Sequence, residues 1–328
     1  MRRWLKIPVE ALLWLVTAVA VAWAFGALWF DLPRFLAPKL VAWAWLAGVV
    51  AAFVWLRPLW RARAAVGLAW LLILAWWLSQ SPRQDRDWKT EVSRTARAEV
   101  RGDVVTLHNV RHFDYRSEDD FTPRWETRTV NLDNLRGVDI FITYWGSPYM
   151  AHPIISFDFG PDGHICFSIE TRPEKGEGYS AIGGFYRQFE LTYVVADERD
   201  VIRLRTNYRK GEDVYLYRLN IRHAKEGFLE YLATLNDLAR KPRWYNAITN
   251  NCTTAIRQQR EPGERAPLDW RMLVNGYGDQ LLYERGRIDR SLPFEELKRR
   301  SLINPRARAA DADPDFSSRI REGLPDRH

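Results

Sequence analysis

The sequence predicts three N-terminal transmembrane helices plus an α+β domain. Three apolar runs fall within the first eighty residues, at 8–30, 36–56 and 64–80, and each approaches the roughly 20 apolar residues that cross a bilayer core. The rest of the chain has short β-rich segments and then a helical pattern, which is typical of an antiparallel sheet with packed helices. We therefore predict a membrane anchor over 1–80, a linker over 81–98 and a soluble domain over 99–328.

The three runs read as permanent spans rather than as a targeting signal. Run 8–30 contains a single charged residue, Glu10, and the stretches 41–56 and 64–78 contain none. Tryptophans, which favour the interfacial level, gather near the run ends: Trp4, Trp29, Trp60, Trp76 and Trp77. The first run alone could be a cleaved signal peptide, but two further runs close behind it favour an anchor.

The distribution of basic residues predicts the orientation. With the N-terminus inside, the inner flanks hold Arg2, Arg3, Lys6, Arg57, Arg61 and Arg63, and the outer flanks hold Arg34, Lys39, Arg83, Arg86 and Lys89. The last flank opens a large domain, and large domains translocate largely regardless of charge. Without that flank the count is six against two, so we predict a cytoplasmic N-terminus and a soluble domain on the far side, in a bacterium the periplasm.

Charge and motif content exclude several functions. The net charge of +7 is spread along the chain and interrupted by acidic stretches such as 117–120, so we expect no nucleic-acid partner. The high pI suits an anionic membrane surface. The sequence has neither a phosphate-binding nor a dinucleotide glycine motif, and no Cys/His zinc spacing, so we predict no cofactor and no metal.

The soluble region is predicted to be strand-rich and then helical. The expected strands are 103–107, 138–144, 153–159, 164–171, 189–195, 201–205 and 214–219, with a turn at 161–163. Apolar residues at helical spacing predict a helix over 224–240, with Pro242 just beyond its end. Asn and Thr residues around 249–254 are good N-caps and place Cys252 in the first turn of a helix that runs to about 260.

Cys252 and His152 are the candidate catalytic residues. Unsatisfied N–H groups and the dipole at a helix N-terminus favour a thiolate, and a nucleophilic thiol needs a base, usually histidine. His152 stands directly before a predicted core strand and can point across a sheet end. His164, beside Gly163, is expected to be an exposed turn residue.

Several stretches resemble the Lnb N-terminal periplasmic domain family. They are 109–115, 151–157, 168–172, 190–200, 245–246, 250–254, 269–271 and 275–278, among which Glu190-Leu191-Thr192-Tyr193 and Asn250-Asn251-Cys252-Thr253-Thr254 are the most specific. The resemblance spans most of the region from about Asp85 onward. It implies a periplasmic domain, in agreement with the predicted topology.

A looser similarity is to permuted NlpC-type, papain-like cysteine enzymes. It implies a pair of Cys252 and His152, with Glu170 orienting the imidazole; His164 or Asn251 are the alternative orienting groups. Asn251, Thr253 and Tyr245 are expected to support the site, and Arg172 and Arg203 to bind substrate.

Each of these residues also has a structural interpretation. Cys252 could be a small buried apolar residue, or could pair with Cys166 in a disulfide, which the periplasm permits. Glu170-Thr171-Arg172 could form an ion pair, and 197–200 is most simply a polar turn. Arg203, Arg205 and Arg209 at strand spacing could bind an anion or form a solvated edge.

Two functions are compatible with these patterns. The first is a cysteine hydrolase or acyltransferase that acts on an envelope substrate, namely peptidoglycan peptide, lipid or lipoprotein. The second is a non-catalytic periplasmic binding or scaffold module. The neighbours of Cys252 and the reactivity of its thiol discriminate between them.

Overall fold

The structure is a computed structural model that describes residues 2–249, 256, 267, 269–272 and 274–325. The chain divides into two compact units. The first consists of Met1–Gln84, Gly178–Glu190 and Trp244–Ala247, and the second of Asp85–Glu177, Leu191–Arg243 and Ile248–His328.

The first unit contains the predicted apolar helices. They are α1 (Arg2–Asp31), α2 (Pro38–Trp55) and α3 (Leu59–Ser79). Each contains a stretch long and apolar enough to cross a membrane, so the prediction of three such helices is confirmed. Charged residues within this unit have partners: Glu10 of α1 accepts from Arg63 of α3 at 2.6 Å, and Asp31 accepts from the Trp77 indole at 2.6 Å.

The second unit is an α+β domain around one mostly antiparallel sheet. The strand order is β1-β2-β9-β8-β7-β6-β10, with β5 also pairing β2. The strands are β1 (Arg97–Arg101), β2 (Val104–Arg111), β5 (Trp125–Asn131), β6 (Gly137–Trp145), β7 (Ala151–Asp158), β8 (His164–Arg172), β9 (Glu190–Ala196) and β10 (Glu212–Arg218), and β3 (Asp114–Tyr115) pairs β4 (Phe121–Thr122) separately. Six of the predicted strands are confirmed, while β1 and β5 were not predicted; β1 begins inside the predicted linker.

Helices cover both faces of the sheet. They are α4 (Glu198–Arg203), which continues into a π-helical turn over Leu204–Tyr208, α5 (Ala224–Arg240), α6 (Gly278–Glu284), α7 (Phe294–Ser301), α8 (Asn304–Ala309) and α9 (Phe316–Arg319). On one face Phe228 and Tyr231 of α5 pack on Phe157 and Phe167, with ring centroids 4.9 and 5.1 Å apart. The bounds of α5 agree with the predicted helix.

The opposite face supports the C-terminal helices. Because side chains alternate along a strand, Ile154 and Cys166 face away from α5. They join a buried cluster with Ile202 of α4 and with Ala307 and Phe316 of the C-terminal segment. Burial on both faces explains why β7 and β8 are almost continuously apolar.

The prediction of a strand over 201–205, and of a polar turn over 197–200, was wrong. Residues 198–203 are helical, and the Asp197 side chain caps them by accepting from the Arg199 amide at 2.7 Å. Glu198 and Asp200 are fully buried. Val201 and Ile202 have a high β-propensity, but the helix cap and the burial of both side chains favour the helix. Propensity is the weaker influence on the secondary structure here.

Replacing Asp197 by alanine is expected to lower the free energy of unfolding by about 1–2 kcal/mol, because the variant loses an N-cap. It also loses an ion pair between Asp197 and Arg128, 2.6 Å apart. Asp197→Asn is the matched control, since asparagine still caps a helix. Urea denaturation of the full chain in detergent measures both. Equal losses in the two variants would show that the cap contributes nothing.

Candidate functional site

Strand pairing brings His152 and Glu170 together. In the antiparallel pair β7–β8, Ile154 lies opposite Ser168. Continuing this register by two residues places His152, at the start of β7, opposite Glu170, near the end of β8. Directly opposite side chains have Cβ atoms about 5 Å apart. His152 and Glu170 lie on the sheet face that carries Ile154 and Cys166, away from α5.

The imidazole of His152 contacts a hydroxyl and a carboxylate. Its Nε2 lies 2.8 Å from Ser168 Oγ and 3.2 Å from Glu170 Oε1. The Ser168 hydroxyl in turn donates to Glu170 Oε1 at 2.6 Å. His152 is buried, with 9% of its surface exposed. These contacts fix the orientation of the ring.

His152 and Arg205 keep the Glu170 carboxylate ionised. Arg205 Nη2 donates to Glu170 Oε1 at 3.0 Å from the π-helical turn that follows α4. Burial by itself would raise the pKa of Glu170, but the charges of His152 and Arg205 and the hydrogen bonds from His152 and Ser168 hold that pKa well below its usual range. Glu170 is therefore a carboxylate at neutral pH.

This arrangement suits a histidine that exchanges a proton. A carboxylate beside one ring nitrogen keeps the proton on that nitrogen and stabilises the imidazolium that forms when the other nitrogen accepts a proton. With Glu170 and Ser168 at Nε2, proton exchange with a reacting group would use Nδ1. The arrangement is therefore compatible with the predicted roles of His152 as general base and of Glu170 as the group that orients it.

The predicted nucleophile lies outside the described residues, as do Asn251 and Thr253. Tyr245, the remaining predicted supporting residue, lies in the first unit. Its amide donates to the Phe189 carbonyl at 3.0 Å, and its ring lies close to Gly184. The catalytic and supporting roles of these residues stay predictions.

The guanidinium groups of Arg172 and Arg203 are held by the protein. Arg172 is 3% exposed and donates to the carbonyls of Val92 and Ser93 at 2.8 and 2.9 Å. Arg203, on α4 rather than on a strand, pairs with Asp311 at 2.8 Å and with Asp114 at 3.3 Å. Both guanidinium groups thus have protein partners in this structure, and their predicted roles in substrate binding stay predictions.

His164, the fallback orienting residue, belongs to a separate charged cluster. Its ring nitrogen and carboxylate oxygens of Asp139 and Glu198 lie within 4.8 Å of one another. Arg321 donates to Asp139 at 2.7 Å and to Glu198 at 2.5 Å. A cation bound there would face the guanidinium charge, so we interpret this cluster as a buried ion network.

Cys166 is a buried free thiol beside this cluster. It lies opposite Ser156 in the β7–β8 pair. Burial, and to a smaller extent the charge of Glu198, raise its pKa well above the usual range. Such a thiol is unreactive. Cys252, its partner in the alternative disulfide, lies outside the described residues.

Two residues of the site, Ser168 and Arg205, were not assigned to it from the sequence. Ser168 carried a signal, since it stands two residues before Glu170 and therefore shares its strand face. The sequence contains no usable signal for Arg205, because its contact with Glu170 depends on the helical turn that was not predicted.

Comparisons with known proteins give a family resemblance over part of the chain. No curated protein and no solved structure matches this chain. A family model does match, over a segment that runs from β4 past α5 and includes His152, Ser168, Glu170 and Arg205. That segment, residues 121–276, matches the model of the Lnb N-terminal periplasmic domain family, which confirms the resemblance seen in the sequence.

Proposed function

We propose that this protein is a membrane-anchored periplasmic cysteine hydrolase or acyltransferase that acts on a cell-envelope substrate. The observation that carries the proposal is the buried imidazole of His152, held by Ser168 and by the ionised carboxylate of Glu170. Such an imidazole is the usual partner of a nucleophilic thiol. The match to a periplasmic domain family supports the compartment.

In the proposed reaction His152 takes the thiol proton of Cys252 on Nδ1, and the thiolate attacks an acyl carbon of the substrate. Glu170 stabilises the resulting imidazolium. Amide groups of the helix predicted to begin near Cys252 donate hydrogen bonds to the oxyanion. The intermediate then collapses to a thioester as His152 protonates the leaving group, and water or an acceptor hydroxyl or amine releases the acyl group.

The order of the residues along the chain supports a permuted papain-like arrangement. The histidine strand β7 precedes the orienting strand β8, and the cysteine follows much later. The orientation of the anchor belongs to the same proposal: with six basic residues on the inner flanks, the N-terminus is cytoplasmic and the domain periplasmic.

The pH dependence of thiol alkylation tests the proposal. The full chain in detergent is treated with iodoacetamide from pH 5 to 9, and Cys252→Ser assigns the reactive site, since buried Cys166 is protected. A Cys252 paired with His152 is expected to react at a rate that is nearly constant above about pH 6, because it is already a thiolate there.

An ordinary thiol gives a different profile. Its alkylation rate rises about tenfold per pH unit up to about pH 8.5. That profile at Cys252, or no reaction until a reductant is added, would reject the catalytic proposal and favour a binding or scaffold module.

A further inference from the structure

The segment between β8 and β9 is hydrogen-bonded to the C-terminal ends of two apolar helices. Within the first unit, the Arg187 guanidinium donates to the carbonyls of Trp77 and Gln80 at 2.5 and 2.9 Å and lies 4.0 Å from the Trp77 ring centroid. The Arg187 amide donates to the Asp31 carboxylate at 3.1 Å. These contacts place Arg187 at the C-terminal ends of α1 and α3.

Tyr186 extends further along α1. Its ring stacks on Phe30 with centroids 5.5 Å apart, and a Cβ atom at Gly26 would collide with it. Gly26 stands five residues before the end of the helix at Asp31, which is about 7.5 Å along the axis. The Tyr186 side chain therefore lies beside the part of α1 that is long and apolar enough to span a membrane.

The same segment exposes three large apolar side chains. Tyr179, Ile182 and Phe185 are 59%, 63% and 49% exposed. Single exposed apolar residues are ordinary on a soluble surface. Here three exposed apolar side chains lie within seven residues. The segment that carries them is hydrogen-bonded to helices that are long and apolar enough to span a membrane.

The backbone of this segment is suited to a less polar environment. The amides of Gly184, Phe185 and Tyr186 donate to the carbonyls of Ser180, Ile182 and Gly183 at 3.0 Å each. Backbone groups that are bonded within the segment do not require water as a partner.

We propose that residues 178–187 form an interfacial loop that inserts into the bilayer leaflet at the C-terminal ends of α1 and α3. Tyr179, Ile182 and Phe185 enter the headgroup and upper acyl region of phospholipids, where aromatic side chains are favoured. Arg187 holds the base of the interfacial loop at the helix ends. This lipid contact is independent of the chemistry proposed for Cys252.

Fluorescence quenching in nanodiscs tests the interfacial loop. Single cysteines replace Ile182, Leu71 or Arg101 in a Cys252→Ser background and carry an environment-sensitive fluorophore. Leu71, 54% exposed within α3, is the lipid control, and the Arg101 side chain, 85% exposed, is the aqueous control. The discs contain phosphatidylcholine with a spin-label quencher placed either high or low on the acyl chain.

The fluorophore at position 182 is expected to lose fluorescence mainly to the shallow lipid quencher, while position 71 responds to the deep quencher and position 101 only to aqueous iodide. A position 182 that behaves like position 101 would overturn the proposal. So would protection from both lipid and aqueous quenchers, since that result means that protein covers the interfacial loop.

Gly26→Ala gives a second measurement with a matched control. The added methyl group must displace Tyr186, so lipid quenching at position 182 is expected to fall while quenching at position 71 is unchanged. Gly48→Ala in α2, where a Cβ meets nothing within 4 Å, is expected to leave both unchanged. Equal quenching in the two variants would contradict the position given to Tyr186.

Discussion

Replacing Arg321 by methionine is expected to lower the free energy of unfolding of the soluble domain by about 3–5 kcal/mol, because it leaves buried carboxylates without their cation. Arg321 pairs with Asp139 and Glu198, both fully buried. Asp139 keeps a second ion-pair partner in Arg218, 3.1 Å away. Most of the destabilisation therefore comes from Glu198, which loses its cation. Since domains are stable by only about 5–15 kcal/mol, urea denaturation of the full chain should show a large shift.

The neighbouring Arg319→Met is the matched control. Arg319 pairs with Asp313 and Glu322, and its side chain is 51% exposed. Solvent-screened pairs contribute less than about 1 kcal/mol. Equal midpoints in the two variants would show that the buried network around Arg321 does not stabilise the domain.

The pH dependence of the same variant gives an independent signature. Burial would raise the pKa of Glu198, but the charge and hydrogen bonds of Arg321 hold it well below the usual range. A depressed folded-state pKa stabilises the protein above the unfolded pKa of about 4.3, and this stability is lost as the pH falls below it. Without Arg321, protonation of Glu198 relieves a buried charge, so the deficit of Arg321→Met should shrink from pH 7 to pH 4.

Replacing His152 by alanine is expected to reduce the alkylation rate of Cys252 at pH 6.5 by about a hundredfold. Without an imidazolium beside it, the thiol returns to a pKa of about 8.5, so about 1% is thiolate at that pH. Stopped-time labelling followed by mass spectrometry of the cysteine peptide measures the rate.

Two further variants locate the effect. His223→Ala removes a histidine whose side chain is 69% exposed and pairs with Glu226, and it should leave the rate unchanged. Glu170→Gln keeps the shape of the orienting group but removes its charge, so its rate should lie between wild type and His152→Ala. A wild-type rate in Glu170→Gln would mean that the carboxylate has no part in activating the thiol.

Local patterns were sufficient to predict the secondary structure where they agree with tertiary burial. The β-forming residues of 138–144 and the turn before 164–171 predicted strands, and apolar spacing predicted α5. The predicted hairpin also placed His152 and Glu170 near neighbouring antiparallel strands, whereas the choice of Glu170 as the orienting residue came from the resemblance to papain-like enzymes.

The errors fall where distant residues decide the structure. Nothing near Glu198 or Asp200 indicates that they are buried, because their cations, Arg321 and Arg111, lie far away in the chain. Because the sequence around these acidic residues shows no partner for them, their position beside a β-rich stretch indicates a polar turn. The contact between Arg205 and Glu170 exists because the chain after Asp197 is helical and not a strand.

The ion pair between Glu198 and Arg321 also sets an order of events during synthesis. The two residues are 123 positions apart, so at roughly 5–20 residues per second Glu198 is made about 6–25 s before its cation. Throughout that interval a closed sheet would enclose an uncompensated carboxylate. The final folding of the domain must therefore await the synthesis of Arg321, and quality-control proteases can still recognise a nascent chain that stalls before this residue.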